Sequence, residues 1–124
     1  MANTFIMLGS LLMFLGVGAG AFGAHALSNY FDKFPNLAST YDTAVRYHVY
    51  HGLALLAVGW AAERWPGSLT TWSGILLFVG VLIFSGSLYL LVATRQSWLG
   101  AITPIGGVAF LSGWLLLFIA AWRN

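Results

Sequence analysis

The sequence predicts an all-α integral membrane protein: a four-helix bundle with a short interfacial segment between its first and second helices. Hydrophobic residues make up 60% of the 124 residues, and charged residues only 6%. Soluble domains carry about 25% charged residues, so this chain has too few to cover a water-facing surface. Four apolar stretches are each long enough to cross a bilayer, which takes about 20 residues. The predicted helices cover residues 5–26, 41–62, 69–92 and 99–121, within a single transmembrane domain over residues 1–124.

The composition also excludes several kinds of site. The chain has no cysteine, which rules out disulfides, thiolate metal sites and thiol nucleophiles. Its five Lys and Arg residues form no cluster of four or more, so the sequence predicts no nucleic-acid partner and no switch on anionic lipids. The expected partners are the lipid bilayer and, within it, a larger membrane complex or further copies of this chain.

The longest polar connection, residues 27–40, joins helices one and two. Aromatic side chains alternate there with charged ones, which predicts a short helix lying on the membrane surface. Pro35 is expected to end that helix, because proline cannot continue one. Helix two is then expected to begin at Tyr41, with Ser39 or Thr40 as its N-cap.

Antiparallel packing of consecutive helices brings most polar residues to one side of the membrane. Ionisable groups inside a bilayer usually face protein or water rather than lipid, so this side is the expected functional face. Asp42 falls in the first predicted turn of helix two, where the helix dipole favours an acid, and it can pair with Arg46 four residues later. The candidate ligand-binding residues are His25, Asp42, Arg46, His51, Ser85 and Tyr89.

Several chemistries can use such a face. His48 and His51 lie three residues apart and can share a metal, with His25 as a third ligand, or one of them can bind haem. The chain lacks a further cluster of carboxylates or cysteines, so no metal site is predicted and the cofactor stays unknown. A Ser-His-Asp triad using Ser85 is excluded, because Asp42 lies too far before His51 along the helix to orient its ring. No catalytic residue is therefore predicted, and the protein is not expected to be an enzyme.

Glycines are expected to mediate close packing of the helices, as small residues do in membranes. Gly52 and Gly59-Trp60 in helix two have the same spacing as Gly106 and Gly113-Trp114 in helix four, a faint internal repeat. The predicted packing residues are Gly16, Gly20, Gly52, Gly106 and Gly113.

Four motifs occur in order along the chain: GAFGAHAL at 20–27, TAVRYHVYHGLALL at 43–56, FSGSLY at 84–89 and TPIGG at 103–107. With them the chain resembles the YgdD-type small inner membrane proteins, domain of unknown function 423, over nearly its whole length. The resemblance implies a multi-pass protein of the bacterial inner (plasma) membrane and carries over no catalytic residue. Because the family often has another residue at the position of His48, the resemblance favours His25 and His51 as functional histidines.

Three functions follow as hypotheses. The first is a non-catalytic accessory or interaction protein of a membrane complex, packing through its glycine-rich helices. The second is binding of a quinone or lipid head group by the His, Arg and Tyr side chains of the functional face, beside an apolar cleft. The third is a small oligomeric transporter or channel subunit. The direction of His51 distinguishes them: toward a cleft open to the bilayer, into a sealed helix interface, or toward an oligomer axis.

Overall fold

The computed structural model describes residues 1–124 and contains helices and turns but no strand, which confirms the all-α prediction. A short 3-10 helix, Ser97–Ala101, precedes the last helix. The helices are α1 (Ala2–His25), α2 (Ser28–Lys33), α3 (Pro35–Arg64), α4 (Ser68–Thr94) and α5 (Thr103–Trp122).

Three segments are long and apolar enough to cross a membrane: α1, α4 and Ser97–Trp122. These correspond to three of the four predicted spans. The remaining helix, α3, has 30 residues, but it carries two histidines and four charged residues and does not meet the same criterion of hydropathy. The structure therefore supports a helical membrane protein with three spans that are evident from length and composition.

The four long helices pack in the order α1, α3, α4, α5. The two inner helices, α3 and α4, each bury ten residues, whereas α1 and α5 each bury five. Large apolar side chains such as Phe14 and Leu111 lie exposed on the outer helices. The core consists of Phe5, Leu12, Ala54, Leu55, Val58, Leu77, Val81 and Phe110.

Crowded glycines lie where the helices approach most closely. A Cβ at Gly52 would lie 3.0 Å from the Met13 sulfur of α1, and one at Gly16 would lie 2.9 Å from Val49 of α3. At Gly106 a Cβ would overlap the backbone of Phe84. Gly20 differs from the others, because its Cβ would make only an ordinary contact, 3.7 Å from the nearest atom.

The spacing shared by helices two and four has a structural counterpart. Gly52 and Gly59 of α3 both face α1, and Gly106 and Gly113 of α5 both face α4. The α1–α3 and α4–α5 pairs are thus two hairpins, each closed by the same glycine spacing on its second helix.

The beginning of α3 corrects the sequence-based prediction. α3 starts at Pro35 rather than Tyr41, because proline fits the first turn of a helix, where its missing N–H needs no acceptor. Neither Ser39 nor Thr40 is a cap: the Thr40 hydroxyl bonds the Asn36 carbonyl within the helix. Asp42 consequently lies beyond the first turn. A short helix is present in the predicted polar connection as α2, which ends at Lys33.

Candidate functional site

The six candidate residues do not form one cluster. His25 is exposed at the end of α1. Asp42 and Arg46 form the predicted ion pair, with 2.6 Å between Oδ2 and the guanidinium, but 63% and 56% of these side chains are exposed. Surface pairs of this kind contribute little to stability. These three residues lie at the outside of the molecule, whereas His51, Ser85 and Tyr89 lie between helices.

His51 is sealed in the interface between α3 and α5, and only 4% of it is exposed. Its Nδ1 lies 2.7 Å from the Tyr47 carbonyl, which can only accept, so Nδ1 carries the proton. Nε2 then accepts the indole N–H of Trp114 at 3.0 Å. The ring stacks on Phe110, with 3.6 Å between the centroids. Both ring nitrogens are occupied, so the His51 side chain has no lone pair left for a metal or a ligand.

Buried hydroxyls tie the inner helices together. Ser85 is fully buried and donates to the Ala44 carbonyl at 2.8 Å, which joins α4 to α3. Ser73 donates to the Gly113 carbonyl at 2.7 Å, which joins α4 to α5. Every buried side-chain nitrogen and oxygen has a hydrogen-bond partner. Ser85 is therefore placed to orient helices.

His48 and Tyr89 form a second polar centre that links three helices. The Nε2 atom of His48 lies 2.8 Å from the Leu12 carbonyl of α1, so Nε2 carries the proton and donates it. A charged imidazolium is costly to bury, and His48 is only 6% exposed, so the ring is neutral and Nδ1 is an acceptor. The Tyr89 hydroxyl of α4, 2.8 Å from Nδ1, therefore donates to it.

His48 and His51 thus bond to different helices, and each uses both ring nitrogens. No group of three or more His, Cys, Asp or Glu side chains is placed to hold a metal ion. The arrangement does not support a metal shared by the two histidines.

An open groove of about 1300 Å³ runs between α1 and α4, with α3 as its floor. Twelve of its 15 lining residues are hydrophobic. Its wall on α1 extends from Ser10 to Phe22, a rise of roughly 18 Å at 1.5 Å per residue. Side chains with a polar atom are Ser10, His48 and, among those twelve, the tyrosines Tyr30, Tyr41 and Tyr89.

Two tyrosines close one end of the groove. Tyr30 of α2 donates its hydroxyl to the Val92 carbonyl of α4 at 2.6 Å, and Tyr41 of α3 donates to the Ala19 carbonyl of α1. The Tyr41 ring also lies edge-on to Tyr89, with 5.7 Å between the centroids. The segment after α1 is thus fastened across the end of the groove.

Among the predicted candidates, Tyr89 lines the groove and His51 does not. Tyr30, Tyr41 and His48 also line it, although none was among the candidates. One signal could have identified part of this set: Tyr41 and His48 are seven residues apart, which places them on one face of a helix. His51 lies on the adjacent edge, which faces α5.

The family described as "protein of unknown function (DUF423)" matches residues 19–107. The UPF0382 membrane protein YwdK of Bacillus subtilis is 48% identical over 122 residues, covering 96% of each chain. A UPF0382 membrane protein of Staphylococcus epidermidis is 49% identical over 119 residues, covering 95% of this chain and 94% of the relative. No solved structure matches. The resemblance found in the sequence motifs is confirmed: this chain belongs to the DUF423 family, whose curated relatives are named UPF0382 membrane proteins.

Proposed function

We propose that this protein crosses the plasma membrane four times and binds a tailed, membrane-soluble molecule in the groove between α1 and α4. The observation that carries the proposal is the groove itself: it is open and mostly apolar, has a volume of about 1300 Å³, and has the hydrogen-bonded His48–Tyr89 pair in its lining. Binding sites for small molecules typically combine an apolar lining with a few placed polar groups. His51 itself lies in a helix interface, the direction that favours a packing role among the three hypotheses from the sequence. The proposal keeps the ligand class of the second hypothesis and assigns its polar groups to His48 and Tyr89.

The position of α3 supports a fourth span. Tyr41 packs against Gly23 near the end of α1, and Gly59 packs against Ile6 near its beginning, so α3 runs antiparallel along nearly all of a membrane-compatible helix. The buried polar side chains of α3 bond to neighbouring helices, which lowers the cost of placing them within the bilayer. A helix shielded in this way needs less hydropathy of its own.

The length of the groove favours a lipid-like occupant over a partner helix. The wall from Ser10 to Phe22 rises roughly 18 Å, close to the ~15 Å thickness of one leaflet's hydrocarbon layer. A partner helix crosses both leaflets, whereas the tail of a lipid or an isoprenoid occupies one. The groove therefore matches a molecule that enters from a single leaflet.

The packing of the glycines supports an accessory role less strongly than the groove supports ligand binding. Nine of the 13 glycines of α1, α3, α4 and α5 are crowded by other helices of the same chain, as at Gly52 and Gly106. Within the long helices, open space surrounds only Gly18, Gly86 and Gly107. No observation favours a transporter or channel subunit.

Gly18 offers a direct test, because it lines the groove and a Cβ added there meets nothing within 4 Å. We expect Gly18→Trp to fill the groove without disturbing helix packing. Gly107→Trp is the matched control: it adds the same side chain at an equally open position outside the groove. Native mass spectrometry of gently extracted wild type and both variants should show a small molecule that is retained in Gly107→Trp and lost in Gly18→Trp.

The mass of the released molecule would identify the ligand. Wild-type protein without any bound small molecule, or equal retention by both variants, would refute the proposed function. A protein partner that co-purifies with all three forms would instead favour the accessory role.

A further inference from the structure

We propose that the groove selects a ligand whose head group donates a hydrogen bond, such as a long-chain alcohol or amine, over one that can only accept, such as an ether, ester or quinone. The inference rests on the proposed function and adds the chemical class of the head group. It follows from where the protons of the groove's tyrosines go.

The proton of Tyr89 is already used. The Leu12 carbonyl holds the proton of His48 on Nε2, at 2.8 Å, which leaves only a lone pair on Nδ1. The Tyr89 hydroxyl, 2.8 Å away, must supply the proton of that second bond. What Tyr89 can offer a ligand is therefore a lone pair on its oxygen.

The other two tyrosines are in the same state. A phenol has one proton, and Tyr30 gives its proton to the Val92 carbonyl at 2.6 Å. Tyr41 gives its proton to the Ala19 carbonyl. The remaining hydroxyl of the lining, Ser10, lies toward the far end of the α1 wall from Ala19.

All three tyrosines line the groove, at the end that Tyr30 and Tyr41 close, and each hydroxyl oxygen has only lone pairs left to offer a ligand. A head group that donates can bond to them, whereas one that only accepts would bring lone pairs against lone pairs and would lose its own hydrogen bonds to water. Leaving polar groups unpaired in this way is how proteins discriminate between ligands of equal shape.

The experiment uses two probes with the same tail, oleyl alcohol and oleyl methyl ether, and the full-length protein in one detergent. Each unlabelled probe displaces radiolabelled oleyl alcohol, which yields two dissociation constants. One hydrogen bond between neutral groups corresponds to roughly threefold to tenfold in affinity, so we expect the alcohol to bind wild type tighter by that factor. Variants are compared by the same alcohol-to-ether ratio, so that different partitioning of the probes into detergent cancels.

His48→Leu changes the groove's hydrogen bonding in a predictable direction. It removes the acceptor of the Tyr89 proton, so Tyr89 becomes a free donor and the preference for the alcohol should fall below that of wild type, to what Tyr30 and Tyr41 alone provide. His48→Gln can still donate to the Leu12 carbonyl and accept from Tyr89, and should keep the preference. His51→Leu is the matched control, because it removes the other histidine of the same helix outside the groove.

Equal affinities of wild type for the two probes, with both bound, would overturn this inference and leave the proposed function intact. Failure of either probe to bind would instead count against the proposed function. An alcohol preference that is undiminished in folded His48→Leu would also overturn the inference. If His48→Leu does not fold, the wild-type ratio and the His48→Gln ratio still decide the question.

Discussion

Two histidines one helical turn apart on α3 are both buried, with 4% of His51 and 6% of His48 exposed, but they lie against different neighbours. On the side of α5, the aromatic rings of Tyr47, Phe84, Phe110 and Trp114 fill the space around His51. On the side of α1, the corresponding space is the open groove, and His48 belongs to its floor. Both rings are neutral and use both nitrogens, so chemistry at the ring does not distinguish them. The packing of the neighbouring helix does: α5 covers His51, and α1 leaves room beside His48.

This difference separates a structural polar group from a functional candidate. The bonds of His51 join α3 to α5 within an aromatic cluster and leave neither ring nitrogen free for a ligand. The bond to His48 uses the proton of Tyr89, and Tyr89 lines the groove, where a ligand can contact its side chain. Two pairs of substitutions, with one member on each side, test the contrast, and a single substitution outside both regions is compared with them.

The largest effect is expected from changing the aromatic residues that surround His51. Phe110 is 5% exposed and packs against both His51 and Gly80, so Phe110→Ala should lower the free energy of unfolding by about 3–5 kcal/mol through the cavity it leaves. Phe14 lines the groove and is 76% exposed, so Phe14→Ala should change it by about 0.5 kcal/mol or less. Unfolding in mixed micelles by titration with sodium dodecyl sulfate measures both. Equal losses would show that the two sides are packed alike.

A smaller effect is expected from the partners of the histidines. Trp114→Phe leaves Nε2 of His51 without a donor in a sealed interface, which should lower the free energy of unfolding by about 1–3 kcal/mol. Tyr89→Phe leaves Nδ1 of His48 without a donor beside the groove, where a ligand or water can replace it, and should cost about 1 kcal/mol or less. The same titration compares them. A larger loss for Tyr89→Phe would mean that the His48 side is the more tightly closed.

The smallest effect is expected at the exposed pair, outside both regions. Asp42→Asn removes the charge opposite Arg46, and pairs of this spacing on a helix contribute about 0.3–0.5 kcal/mol. Neither the unfolding free energy nor the probe affinities should change beyond that amount. A marked loss of probe binding would bring Asp42 and Arg46 back into the binding site that the sequence suggested.

Much of the fold is encoded in features that can be read locally. The lengths of the apolar runs predicted helices at the positions of α1, α4 and α5, and the aromatic segment predicted α2. The predicted start of α3 was wrong because Pro35 is compatible with two roles: it can end one helix, or it can lie in the first turn of the next. Only the surrounding chain decides between them.

The candidate site was predictable only in part. The four-residue spacing of Asp42 and Arg46 predicted their ion pair, and Tyr89 was placed among the candidates. An apolar cleft was part of one hypothesis, but its position between α1 and α4 was not predicted, because a side chain that faces lipid and one that faces another helix are equally apolar. Which edge of α3 faces α1 and which faces α5 follows from the assembled bundle, and that orientation separates His48 from His51.

The bond between Trp114 and His51 also has a consequence for biosynthesis. Ribosomes make α3 before α5, so Nε2 of His51 has no indole partner until the last helix has been synthesised. His48 is different, because its α1 acceptor, the Leu12 carbonyl, already exists when α3 emerges. The α1–α3 hairpin can therefore form during translation, whereas the closing of the His51 cluster is a later step that requires the synthesis of α5.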